Sequence, residues 1–289
     1  MKLPPFEYAC PTTINEAVAL LASHDGEAKP LAGGQSLVPM LAFRVASPSL
    51  LVDLRKLAEL RQIKIADDGV TLGAMVRWRD ILDDARLRKA HPLLVVAVEH
   101  VAHYQIRNRG TVGGSLAHAD PAAELPGVAV TCEGDITLFG PTGSRTVRAG
   151  EFFTGPLSTL RQPDEIITDL NLPKWPSGRR WAFRKYARRE GDFALAGILL
   201  FYDEDRQGAL SNAHVGVIGA CPRPHRLTGV ETLLSGRAID DDLIRQAAAA
   251  AAEDVDPPDD LHADAVYRRG LVATLVERAL RAAAQQRSA

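Results

Sequence analysis

Two glycine-pair segments constrain this chain most: Ala32-Gly33-Gly34-Gln35-Ser36 and Thr111-Val112-Gly113-Gly114-Ser115. Each follows a short apolar stretch and carries a hydroxyl beside its glycines. Glycine lacks a Cβ, so it permits φ > 0 and lets an anion approach the main chain. Successive N–H groups in such a turn form a concave nest that holds phosphate without a lysine. Two nests brought together would grip the two phosphates of a dinucleotide. Taken singly, either segment also reads as an ordinary turn, since 23 glycines are spread along the chain. No G-x-G-x-x-G opens a βαβ unit and no G-x-x-x-x-G-K-[ST] occurs, so a dinucleotide here is not held in the Rossmann manner.

Composition narrows the function classes. The 289 residues suggest roughly two domains with ample core. The 46% hydrophobic and 24% charged fractions are those of a soluble globular protein. Lys+Arg 34 against Asp+Glu 36 leaves no basic surplus to neutralise a nucleic-acid backbone. The opening Met1-Lys2-Leu3-Pro4-Pro5 lacks the apolar stretch of a signal peptide, and the apolar run at 193–202 is far short of the ~20 residues of a membrane span. The expected location is the cytoplasm. Cys10, Cys132 and Cys221 are odd in number and widely separated, which argues against a disulfide framework. An iron–sulfur cluster needs four thiolates, so this chain alone cannot build one. No H-E-x-x-H, tight Cys/His grouping or G-x-S-x-G is present, and no metal site is expected.

Local patterns predict the elements around the two segments. Thr13-Ile14-Asn15-Glu16 reads as a capping box opening a helix with Ile14, Ala17, Val18, Leu20 and Leu21 on its apolar face. Strands are predicted at 29–32 and 50–54, hairpins at 63–72 and 135–148, and a further strand at 165–170. Residues 92–101 form a buried helix, and Pro121 reads as the first residue of another, with Asp120 as its N-cap. Residues 37–43 read as core packing that fixes the first glycine segment. The Pro/Gly-containing stretch 173–180 is the best linker. Beyond it come strands at 181–186, 196–202 and 210–218, then helices at 229–234, 241–253 and 264–284, the last two Ala-rich. Strands followed by helices is the order of an α+β domain.

The two glycine segments, with Ile106-Arg107-Asn108-Arg109-Gly110 before the second and His118-Ala119-Asp120-Pro121-Ala122-Ala123-Glu124 after it, resemble the FAD-binding subunit of the molybdenum hydroxylases. That family includes the medium subunit of aerobic carbon monoxide dehydrogenase and the flavin domain of xanthine dehydrogenase. The resemblance resumes at Lys185-Tyr186-Ala187-Arg188-Arg189-Glu190-Gly191-Asp192-Phe193 and at Tyr267-Arg268-Arg269, so it spans nearly the whole chain. It implies an α+β fold: a vanillyl-alcohol-oxidase/PCMH-type FAD-binding domain of two subdomains over 1–176, then a C-terminal α+β domain of three strands and helices over 177–289.

The resemblance also implies a site. Ala32, Gly33, Gly34, Gln35, Ser36 and Leu37 from the first segment, with Thr111, Gly113 and Gly114 from the second, would hold the FAD pyrophosphate. Ser115 and His118 would add contacts, and Asp120 and Glu124 would reach the ribityl hydroxyls. Lys185 and Asp192 match the C-terminal motif, whose lysine approaches the flavin ring. Phe193 stands where carbon monoxide dehydrogenase has a tyrosine over that ring. Read without the resemblance, His118 is a packing histidine, Arg188 and Arg189 a solvated face, and Phe193 the start of a core strand. The implied function is electron transfer: FAD takes electrons from the [2Fe-2S] clusters of a small partner subunit and passes them to an outside acceptor. A large subunit with the molybdenum cofactor oxidises the substrate, in a dimer of heterotrimers. A free-standing FAD-dependent reductase or oxidase of this fold, and a nucleotide-binding assembly protein without redox change, are the alternatives.

Overall fold

The computed structural model describes residues 2–286. Thr13 caps the helix Ile14–Ala22 by accepting the Glu16 N–H at 3.2 Å. The Glu16 carboxylate reaches back to the N–H of Thr12, at 2.8 Å, one residue beyond the usual capping box. This helix buries Ala17, Val18 and Leu21 against a three-stranded parallel sheet with Leu50–Asp53 between Glu7–Ala9 and Ala28–Leu31. All four residues of the central strand are buried, as expected of a parallel strand covered on both faces.

The predicted hairpins join a second, antiparallel sheet. Its order is Ile63–Ala66, Gly69–Gly73, Ile166–Pro173, Asp135–Gly140, Gly143–Arg148, so the strand latest in sequence lies in the middle. Leu72, Ile136, Leu138 and Leu170 from this sheet share a core with Leu93 and Leu94 of the helix Pro92–Glu99 and Val128 of the helix Glu124–Thr131.

After 174–179 the chain builds a third sheet from Arg180–Tyr186, Ala196–Glu204 and Leu210–Ile218, extended by the two-residue strand His225–Arg226. The helices Thr228–Leu234, Asp241–Glu253 and Ala265–Ala284 cover it. The Ala-rich helix Asp241–Glu253 packs through one stripe, with Ala247, Ala248 and Ala251 buried. Phe183, Leu199, Phe201 and Ile218 of the third sheet belong to the same core as Leu94 and Val128. Two glycines allow that approach. A Cβ on Gly216 would lie 1.8 Å from Thr131 Oγ1, and one on Gly127 would lie 2.6 Å from Ile218 Cγ2. His214 Nδ1 lies 2.7 Å from the Thr131 carbonyl across the same seam. This close packing fixes the C-terminal segment 191–193 against the N-terminal portion.

Three local expectations fail. No helix starts at Pro121: the Asp120 carboxylate accepts the N–H of Ala122 at 2.8 Å and its carbonyl accepts that of Ala123 at 3.1 Å, closing a turn, and the helix begins at Glu124. The second glycine pair is not a loop but the first turn of the helix Val112–His118, which ends where Ala119 takes φ 53°. Residues 37–43 are not uniformly core. The short helix Leu37–Ala42 buries only Leu41, while Phe43 is 70% exposed because the chain turns outward at Arg44, φ 57°.

Candidate cofactor site

The first segment leaves the strand Ala28–Leu31 and enters the helix Leu37–Ala42. Gly34 takes φ +72°, the left-handed conformation that favours glycine. Gly33 is required by proximity instead, because a Cβ there would stand 2.2 Å from the Arg109 carbonyl oxygen. Gln35 Nε2 donates to the Gly33 carbonyl at 3.1 Å and tightens the turn. Among the described residues, the N–H groups from Gly33 to Leu37 find no acceptor. The first segment is therefore a row of donors open to an anion.

The second segment differs. Val112 N–H donates to the Val76 carbonyl at 2.9 Å and Gly113 N–H to that of Ala74 at 2.8 Å. Gly114 N–H donates to Thr111 Oγ1 at 3.2 Å, and Ser115 N–H to the Thr111 carbonyl at 3.0 Å. All four donors are consumed, so the expectation of a second open nest is not met. Thr111 is a buried N-cap facing its own helix. The glycines here serve contact. A Cβ at Gly113 would meet Ala74 Cβ at 2.6 Å, and Gly114 leaves Ala32 Cβ 3.7 Å from where its own Cβ would be.

Between the segments lies a cavity of about 550 Å³, a size typical of small-molecule sites. Ala32, Gly33, Gly34, Gln35, Ser36 and Leu37 line it on one side. Gly113, Gly114, Ser115, His118, Asp120 and Glu124 line it on the other, and Asp192 and Phe193 reach it from the C-terminal portion. Gly191 brings that last segment in: at φ +83°, its absent Cβ would fall 2.5 Å from the His103 ring. Phe193 is 64% exposed and precedes the strand starting at Ala196, so it is not a core residue.

Of the predicted site residues, only Thr111 and Lys185 do not line this cavity. Lys185 Nζ donates to Glu124 Oε1 at 2.5 Å and to the His100 carbonyl at 3.2 Å, with both side chains of the pair buried. Burial raises the pKa of Glu124 above the usual carboxylate range, and Lys185 opposes that rise. The lysine is thus spent on fixing a carboxylate of the cavity wall.

Residues 4–175 match the family described as FAD binding domain in molybdopterin dehydrogenase, and 181–283 match the CO dehydrogenase flavoprotein C-terminal domain. The chain belongs to the FAD-binding family of the molybdopterin dehydrogenases. It is 38% identical over 280 residues to the nicotine 6-hydroxylase medium subunit of Paenarthrobacter nicotinovorans, covering 97% of this chain and 98% of that one. It is 36% identical over 280 residues to the carbon monoxide dehydrogenase medium chain of Hydrogenophaga pseudoflava, covering 97% of each. A solved carbon monoxide dehydrogenase of Hydrogenophaga pseudoflava superposes with a TM-score of 0.95 at 37% identity over 98% of each chain. Quinoline 2-oxidoreductase from Pseudomonas putida 86 gives 0.94 at 35% over 99% of each. As a member of this family the chain is an oxidoreductase component whose cofactor is FAD. The residues present fit that group: an open donor row meets the charge of a pyrophosphate, and a glycine cradle leaves room for it.

The sequence reading missed several members of this FAD-family cavity. Lys29, Trp78, Ile106, Ser158, Thr159 and Arg161 all line it. Arg268, buried in the last helix, donates to the carbonyls of Leu195 and Gly219 at 2.7 and 2.8 Å and to Asp260 at 2.7 Å, anchoring the chain just beyond Phe193. Its place in the Tyr267-Arg268-Arg269 motif was the available signal. Lys29 stands in the strand that leads into the first glycine segment, whereas Arg161 carried no signal, because it becomes part of the cavity only through non-local packing.

Proposed function

We propose that this chain is the FAD-carrying electron-transfer subunit of a molybdenum-containing hydroxylase or dehydrogenase. It works with a small [2Fe-2S] subunit and a large molybdenum-cofactor subunit, as a dimer of heterotrimers in the cytoplasm. Bound FAD supplies the redox chemistry, and the protein supplies position and electrostatics. The observation that carries the reading is the cavity itself, where the donor row of Gly33–Leu37 and the aromatic face of Phe193 converge on one space. Residues 1–176 form the FAD-binding domain in this reading, and 177–289 the domain that closes over the flavin.

Gly33, Gly34, Gln35 and Ser36 hold the pyrophosphate through main-chain N–H groups, with Ser115 and His118 adding side-chain contacts. Ala32, Leu37, Gly113 and Gly114 shape the wall, and Thr111 fixes the second segment from behind. Asp120 and Glu124 accept from the ribityl hydroxyls, and Lys185 keeps Glu124 ionised and in place. Asp192 and Phe193 border the ring, Phe193 covering one face. The three cysteines are too few to carry iron–sulfur clusters, consistent with a partner that holds them. Among the described residues no helix is long and apolar enough to cross a membrane.

Purification from the native source tests this directly. The expected result is a yellow complex with two companion chains, one containing iron and sulfide and one containing molybdenum, whose substrate bleaches the flavin absorbance. A chain that purifies alone and turns over a small organic substrate by itself would overturn it.

A further inference from the structure

Charge is unevenly distributed around the cavity. The carboxylates of Asp120, Glu124 and Asp192 gather where the C-terminal portion closes on it. Among the described residues, Lys29 and Arg161 are the only lysine and arginine in its lining. Lys29 lies in the strand Ala28–Leu31 of the parallel sheet, and Arg161 precedes the strand Ile166–Pro173 of the antiparallel sheet.

Arg161 is held unusually. Its Nη1 donates to the carbonyls of Gln162, Pro163 and Glu165 at 2.7, 3.3 and 2.8 Å. Among the described residues its Nε and Nη2 find no acceptor, and no carboxylate lies within ion-pair distance. The nearby Glu165 carboxylate is already taken by Arg145, at 2.6 and 2.8 Å, and by the Gln162 N–H at 2.8 Å. Burial lowers the guanidinium pKa from its ordinary value. The guanidinium is half-buried at the cavity wall, so a ligand in the cavity can reach its unpaired donors. The main-chain carbonyls fix the plane of the fork and leave its other donors for a ligand.

We propose that Arg161 anchors the AMP half of FAD and so sets the preference for FAD over FMN; this rests on the reading of the cavity as the FAD site. The main-chain donors of the second glycine segment are consumed internally, so in that stretch only the Ser115 and His118 side chains remain for the phosphates, and neither offers the paired donors of a guanidinium. A guanidinium meets a phosphate bidentately and also stacks on, or donates to, a purine ring. FMN lacks both the second phosphate and the purine.

The test uses the full chain stripped of flavin and titrated separately with FAD, FMN and AMP, by flavin fluorescence and by competition. Arg161→Met should weaken FAD at least about tenfold, remove competition by AMP, and leave FMN affinity unchanged. Unchanged FMN affinity also reports that the cavity is intact. Arg161→Lys keeps the charge and loses the fork, and it should lower the FAD-to-FMN preference by a smaller factor. This variant decides the matter if the methionine variant does not fold. Equal weakening of FAD and FMN, or unchanged FAD binding, overturns the proposal while leaving the FAD site standing. A wild-type chain that binds neither flavin overturns the site reading as well.

Discussion

A single methyl at Gly33 probes the architecture of the site most directly. The Cβ of Gly33→Ala would stand 2.2 Å from the Arg109 carbonyl oxygen, 2.9 Å from its carbon and 3.0 Å from Gly110 Cα. All three are main-chain atoms, so no rotamer change relieves the overlap. Gly33 is not in the left-handed region, so the effect is purely steric. To bring 2.2 Å up to 3.0 Å, the first segment must retreat by about 0.8 Å at least. Overpacking of this kind costs about 1–3 kcal/mol of stability. The retreating segment also carries the open N–H groups, and losing even one hydrogen bond to a charged group costs about 1.5–3 kcal/mol. That corresponds to roughly 10- to 150-fold in Kd. Gly34→Ala is the control. At φ +72° it pays about 1–2 kcal/mol of backbone strain, but its new methyl meets only the side-chain tips of Val38 and Leu31, at 3.2 and 3.4 Å. FAD titration of both flavin-free variants, with melting curves, separates the two costs. Affinity should collapse in Gly33→Ala and fall less in Gly34→Ala. A Gly33→Ala chain with wild-type Kd for FAD would refute the claim that contact between the segments shapes the site.

Phe193→Ala should leave stability within about 0.5 kcal/mol, because the ring is mostly exposed; FAD content should stay normal while stopped-flow reoxidation by oxygen accelerates. Lys185→Met strands the buried Glu124 carboxylate and should cost about 3–5 kcal/mol at neutral pH by denaturant unfolding. Because the folded pKa of Glu124 is raised, that penalty should shrink as pH falls toward the ordinary carboxylate range, where Glu124 takes up a proton; Lys185→Met with Glu124→Gln should recover much of it. Burial pushes His91 down to about 3, so the folded protein binds fewer protons there than the unfolded chain. The stability it contributes is present above its ordinary pKa of 6.5 and is lost as pH falls through the window down to about 3. His91→Asn, which keeps an acceptor for the Leu94 N–H, should flatten the acid limb of a Tm-against-pH curve.

Much of the fold was legible because its signals are local. The Thr13 cap and the strands at Ile63–Ala66 and Gly69–Gly73 follow from φ/ψ preference, side-chain period and turn chemistry. The glycine segments were visible for the same reason, and so was the convergence of 32–37 with 113–124, once the motif order was seen to resemble a family. Local signals misled where two of them competed. Pro121 has the chemistry of a helix start, yet the Asp120 turn and the left-handed Ala119 delay the helix to Glu124.

The sequence by itself determined the two glycine pairs and most of the local elements that flank them. Only the tertiary structure decided how each is used. Whether an N–H is open to a ligand depends on which carbonyl lies opposite it, and the carbonyls of Ala74 and Val76 that occupy the second segment belong to a different part of the chain. Lys185 turns to Glu124, 61 positions away, and Arg161 meets in one cavity the glycine segments at 32–37 and 113–115, which are distant from it in sequence. Backbone preference reaches a few residues along the chain, whereas hydrogen-bond partners and counter-ions are assigned by packing, which brings distant segments together.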